Sequence, residues 1–239
     1  MSTHINPAEL PLDTETAAAM AKWMPPIRGI EPLALFRILI QHRSLSEALH
    51  PLAAFQLGKS SSLDPRTREL AISRTCARCQ CEYEGGVHAG LQAGKIGLLP
   101  GTLAATVTKP PSDPLWSDSE RCLISLVDAL HDTSTVSEEL WIELRRHWNE
   151  NQILELTVLT GFYHLISFVA NVAGARLESW APRFPPSPSG SLSDAVKSGV
   201  VAADGRRSGS DYPAIISGIH RVSNDSLIRG TYRPSANPS

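Results

Sequence analysis

The chain has 239 residues, of which 42% are hydrophobic and 19% charged, and its net charge is −2. That length and apolar content support one large domain or two small ones with a buried core. The near-neutral balance provides no field for nucleic acid or an anionic lipid surface, so neither is expected as a partner.

The start, Met1 to Pro7, lacks the basic residues and apolar run of a signal peptide. Three of the four cysteines, Cys76, Cys79 and Cys81, fall within six residues. A disulfide framework spreads its cysteines along the chain, so a reducing, cytoplasmic setting is expected. No second cysteine or histidine pair stands at ligand spacing for zinc, and neither metal nor cofactor is expected.

In chain order, Leu33 to Ile40 and Leu45 to Leu57 read as two helices. Asp64-Pro65 opens a third, because Asp accepts from free N–H groups and Pro is tolerated in the first helical position. The segment Thr75 to Gln80 has modest helix propensity and marks a break. A further helix is expected from Cys81 to Gly94, closed by that glycine. Pro100 starts another over Leu103 to Val107, and Lys109 to Pro114 interrupts the pattern. Ser117-x-x-Glu120 and Thr135-x-x-Glu138 read as capping boxes for two more helices. Asn149 caps a long helix through Ala173, closed near Gly174. Its Ile153 to Val172 portion carries Glu155, His164 and Asn171, which argues for a buried or interface helix over a membrane span.

Strand alternation and hairpin signals are absent, so the fold class is all-α. Beyond Trp180 the composition changes: residues 181–239 hold seven Pro and twelve Ser with a net charge of +3. Such a segment buries too little to offset its ordering entropy, and a body of residues 1–180 with a disordered tail is expected.

Reactive groups concentrate in one place. Cys81, Glu84 and His88 share a helix face. Glu84 and His88 are four apart, so a carboxylate there can raise the imidazole pKa and fix its tautomer. Cys81, near a helix N-terminus, is expected to have its thiolate favoured. Glu69 lies twelve residues before Cys81. On one continuous helix that is about 18 Å, so Glu69 joins the site only if two helices fold back on each other. Gly85-Gly86 points to close helix packing or to room for a ligand.

The run Arg68-Glu69-Leu70-Ala71-Ile72, followed by Cys81-Glu82-Tyr83-Glu84-x-x-x-His88 and Ala93-Gly94, resembles the carboxymuconolactone decarboxylase family, whose wider superfamily includes the alkylhydroperoxidase AhpD. The resemblance continues through Trp116-Ser117-Asp118, Val136 to Trp141 and Glu155 to His164, roughly residues 20–180. It implies an AhpD-like helical bundle assembled as a trimer or hexamer, and family members often carry a bulky residue in place of Gly85-Gly86. In the peroxidase branch it implies Glu-x11-Cys-x-x-Cys-x3-His; here Glu69, Cys81 and His88 match and Glu84 replaces the second cysteine. In the decarboxylase branch it implies acid–base chemistry on a small lactone, keto acid or polyketide-like acid.

Three readings follow. The first is a decarboxylase-like enzyme in which His88 is general acid/base, Glu84 its partner and Glu69 a relay. The second is a peroxidase using Cys81. The third is a non-catalytic oligomeric binding module with a structural polar cluster. Cys-x-x-Glu cannot form a disulfide, which favours the first over the second. The motif contains no obvious arginine for a substrate carboxylate, and Arg68 and Arg74 are the nearby cations.

Overall fold

The structure is a computed structural model that describes residues 3–24 and 30–186; the expected tail from 187 onward lies outside the described residues. Among the described residues the chain forms nine α-helices and no strand. The all-α expectation holds.

Helices α1 (Thr14–Trp23), α2 (Ala34–Leu39) and α3 (Arg43–Leu57) lead into α4 (Pro65–Arg78) and α5 (Glu82–Leu91). After a 3-10 turn (Ala93–Ile96) come α6 (Pro100–Thr108), α7 (Asp118–Thr133), α8 (Glu138–His147) and α9 (Glu150–Ala173). Helix α1, begun by Asp13 accepting from the Thr16 N–H at 2.9 Å, is an element the sequence pattern did not reveal.

Local chemistry sets most boundaries. Asp64 caps α4 through the Thr67 N–H, with Pro65 in the first turn. Ser117 and Glu120 form the capping box of α7, and Asn149 with Gln152 forms that of α9. Two expected signals fall elsewhere. Ser137, not Thr135, caps α8, because its hydroxyl reaches the Leu140 N–H at 3.3 Å. Helix α5 ends before Gly94; the 3-10 turn carries the chain on to Gly97, which takes the left-handed conformation that glycine accepts without a Cβ penalty.

Helix α4 is the hub, packed against α5, α6, α7 and α9. Leu70, Ile72, Leu123, Ile124, Leu156 and Leu159 fill the core, each essentially shielded from water. Each such side chain contributes roughly 1.5–3 kcal/mol. Within this core Arg74 forms a two-pronged pair with Asp128 at 2.7 and 2.6 Å and donates to the carbonyls of Thr106 and Lys109. That guanidinium ties α4 to α6 and α7.

Helix α9 is long and apolar enough to cross a membrane by length and composition, but half of its apolar window is buried in the bundle. Leu156, Leu159, Tyr163, Ile166 and Ala170 face inward. Leu154, Val158, Leu165, Phe168 and Val172 form a second, exposed apolar stripe. Cys122 is buried against the core, as its place on an apolar helix face suggests.

Candidate active site

The break between α4 and α5 is tighter than the sequence pattern suggests. Helix α4 continues to Arg78, Gln80 adopts a left-handed φ of 52°, and the Cys81 N–H donates to the Cys76 carbonyl at 2.8 Å. A non-glycine residue in that conformation costs about 1–2 kcal/mol. It reverses the chain within three residues and lays α5 back against α4.

The reversal brings Glu69 to His88. The imidazole Nδ1 lies 2.8 Å from Glu69 Oε2, so its N–H donates to the carboxylate. On the other side of the ring, Nε2 lies 3.0 Å from the Tyr163 hydroxyl and 3.4 Å from Glu84 Oε1. The Tyr163 ring meets the imidazole edge-on, with centroids 5.1 Å apart. Glu69 is therefore the direct partner of His88, and Glu84 is the looser one, the reverse of the ranking that helical spacing suggests. All four side chains are buried.

Burial pulls the His88 pKa down, but the charge and hydrogen bond of Glu69, joined by Glu84, outweigh it and hold it at about 10. At neutral pH the ring is thus an imidazolium. Its Nδ1–H is committed to Glu69, and its Nε2–H faces Tyr163 and Glu84. Burial, reinforced by the charges of Glu84 and Glu69, pushes the Tyr163 phenol well above its ordinary value, so it stays protonated.

Cys81 lies next to this cluster as the N-cap of α5 but is fully buried. Burial raises its thiol to about 11; the backbone N–H of Glu84 opposes that rise, while the Glu84 charge adds to it. The expected thiolate is not favoured, because removal from water outweighs the helix N-terminus. Cys76 is buried and shifted upward for the same reason.

Of the two nearby cations, Arg74 is fully engaged by Asp128 and backbone carbonyls. Arg68 is half-buried, its Nε is unpartnered among the described residues, and its charge acts on Tyr163.

The least anticipated part of the site is the segment following α9. Residues 174–186 cross α5 as a strap over Gly85, Gly86 and Gly90. A Cβ at position 85 would lie 2.4 Å from the Phe184 ring, and one at position 86 would lie 2.5 Å from the Pro182 carbonyl oxygen. At position 90 it would meet Trp180 at 2.8 Å. The glycines thus admit neither a helix nor an open ligand space but the chain's own strap. Phe184 fills the volume beside Cys76 that a bulky residue 85 would take.

Polar contacts pin the strap at both ends. Glu82 accepts from the Phe184 N–H at 3.1 Å and pairs with Arg183 at 2.9 Å. Glu178 accepts from the Tyr83 hydroxyl and the Ala34 N–H, each at 2.8 Å, and the Leu35 N–H donates to that hydroxyl at 3.0 Å. Tyr83 and Glu178 together satisfy the start of α2. Residues 181–186, which composition groups with the tail, are therefore part of the packed body.

Solved structures share this arrangement of helices. A peroxidase-related protein with an alkylhydroperoxidase AhpD core from Ralstonia eutropha JMP134 superposes with a TM-score of 0.62 at 17% identity, covering 74% of this chain and 95% of its own. The chain has the AhpD-like fold. The debrominase Bmp8 gives a TM-score of 0.59 at 13% identity, over 75% of this chain and 94% of the debrominase. A protein of unknown function from Agrobacterium tumefaciens, described as a putative antioxidant defence protein AhpD, gives 0.51 at 20% identity, over 55% of this chain and 89% of its own. No protein-family model matches the sequence, and no curated protein matches it. The neighbours thus include both peroxidase-related and debrominase proteins on one helical framework.

Proposed function

We propose that the protein is an acid–base enzyme of the decarboxylase-like type, acting on a small lactone acid, keto acid or polyketide-like acid. The observation that carries this reading is the Glu69–His88 pair at 2.8 Å, with Tyr163 and Glu84 on the free side of the ring. An imidazolium held protonated at neutral pH is a proton donor. In the step we envisage, the bond from carbon to the substrate carboxylate breaks and CO2 leaves. The electron pair stays on carbon, delocalised into the neighbouring carbonyl, and the proton on His88 Nε2 quenches it. Solvent then restores the proton. Arg68 supplies the free cation for the substrate carboxylate.

Thiol chemistry is the less supported reading. Cys81 is sealed from solvent and protonated, and the partner a disulfide would need is Glu84. The full burial of His88, Glu69 and Glu84 instead favours a second reading, in which the cluster is a structural polar core of a binding module. For assembly, we propose a homo-oligomer, trimer or hexamer, built on the exposed apolar stripe of α9.

The deciding experiment is a panel of small lactone, keto and polyketide-like acids assayed for CO2 release and for deuterium uptake at the product carbon. The wild type is compared with His88→Gln, Arg68→Met and Cys81→Ser. Turnover that falls by about 100-fold or more in His88→Gln but persists in Cys81→Ser supports the proposal. Hydroperoxide turnover abolished by Cys81→Ser would overturn it, and inactivity towards both substrate classes would favour the structural core.

A further inference from the structure

We infer that the protein has a transition-metal site, separate from the His88 cluster, formed by Cys79, His131 and His164. The three residues come from three places: the C-terminal end of α4, the last turns of α7 and the middle of α9. Their potential ligand atoms all lie within 4.8 Å of one another, and each side chain is partly exposed, so an ion can enter from solvent. Along the sequence the residues are too far apart to form any ligand motif; only the fold assembles them.

The hydrogen bonding favours ligation. His164 Nδ1 lies 2.8 Å from the Thr160 carbonyl oxygen. A carbonyl only accepts, so Nδ1 carries the proton and the Nε2 lone pair is presented outward. A backbone carbonyl on the remote nitrogen is the usual orienting partner of a metal-bound histidine. That lone pair accepts from the His131 Nδ1–H, 2.9 Å away, so an ion would take the place of this proton, with His131 carrying its N–H on Nε2 instead. In tetrahedral zinc coordination two imidazole nitrogens stand about 3.3 Å apart, so the rings need to separate by only a few tenths of an ångström. The Cys79 sulfur completes three donors and leaves a fourth position open to solvent.

The donor set selects the ion. Two imidazoles and a thiolate suit a borderline-soft metal, zinc before magnesium or calcium. Arg78, which would otherwise repel a cation here, is paired with Asp132 and Asp128, the residues flanking His131 on α7. A bound ion would cross-link α4, α7 and α9 beside the α4–α5 reversal.

Cobalt(II) is the probe, because a thiolate ligand gives a charge-transfer band and tetrahedral geometry gives intense visible bands. The full chain is titrated with Co2+, then with Zn2+ against a chromogenic chelator. One equivalent is expected, with both spectral features. His131→Ala and His164→Ala should weaken zinc uptake on the order of 100-fold. Cys79→Ser should remove the charge-transfer band, and Cys81→Ser should keep it. Circular dichroism establishes that each variant is folded. Absence of any cobalt spectrum in the wild type would overturn the inference. So would zinc uptake unchanged in a folded Cys79→Ser/His131→Ala double variant, or a charge-transfer band lost in Cys81→Ser and kept in Cys79→Ser.

Discussion

Glu69 and His88 stand nineteen residues apart in sequence and 2.8 Å apart in space, both shielded from water. A buried carboxylate beside a buried imidazole links the ring's protonation to the stability of the whole bundle. The folded-state pKa of His88, about 10, lies above its ordinary 6.5. Its stabilising contribution is therefore complete below pH 6.5 and is lost as pH rises towards 10. Urea unfolding across that range should show midpoints that decline on the alkaline side. In Glu69→Gln the His88 pKa should fall and the decline should move to lower pH. An NMR titration of the His88 ring that leaves its pKa at the ordinary value in the wild type would contradict this.

Tyr163→Phe keeps the edge-on ring contact and deletes the hydroxyl 3.0 Å from Nε2. Loss of one buried hydrogen bond should lower unfolding free energy by about 1 kcal/mol. Glu84, 3.4 Å away, then becomes the sole polar partner facing that nitrogen. Chemical denaturation of the two proteins side by side measures the difference.

Arg74 tests the packing of the hub rather than the chemistry. Replacing it with Ala leaves Asp128 without its two-pronged partner and frees the carbonyls of Thr106 and Lys109. Breaking one side of a buried pair costs about 3–5 kcal/mol. A thermal-melt shift equivalent to less than ~1 kcal/mol would show that α4, α6 and α7 do not depend on this guanidinium.

The strap predicts thiol reactivity. Phe184→Ala removes the ring that stands between Gly85 and solvent next to Cys76. Labelling of Cys76 and Cys81 by a small disulfide reagent, followed by peptide mass spectrometry, should accelerate by at least about tenfold. The rate for Cys122, on α7 in the same core but not among the residues that the strap glycines and Phe184 meet, should not change. Gly86→Ala should act in the same direction, because its new Cβ would press on the Pro182 backbone rather than on a movable side chain.

The fold was legible in the sequence where a single local interaction decides an element. Asp64-Pro65, Ser117 with Glu120, and Asn149 each place a helix start correctly because a short polar side chain captures an N–H three residues ahead. Thr135 misleads because Ser137 offers the same chemistry nearer the helix. The Glu69–His88 juxtaposition follows from spacing once a reversal is granted, since Glu69 cannot reach His88 along one helix. Tyr163 entered only as part of the Glu155 to His164 run of the resemblance; its position over Nε2 depends on how α9 crosses α5. The strap was hidden because composition places its last residues with the tail, while Phe184, Pro182 and Trp180 pack through surface complementarity to three glycines. The Cys79, His131 and His164 cluster leaves no trace in local spacing at all.

Packing of residues 174–186 on α5 and exclusion of water from the face of α5 that carries Gly85, Gly86 and Gly90 are one and the same contact. Without residues 174–186, Gly85, Gly86 and Gly90 would form a smooth trough with no side chains of their own to shut out water. Cutting the protein after Trp180, where the composition changes, would remove Pro182, Arg183 and Phe184 and uncover Gly85 and part of Gly86, while Trp180 stayed over Gly90. The resulting body would keep every residue of the histidine cluster, including the Glu69 and Glu84 carboxylates that hold His88 protonated, but with part of the α5 face beside it open to water. Activity and pH behaviour measured on such a shortened chain would describe a wetter site than the one the full sequence builds.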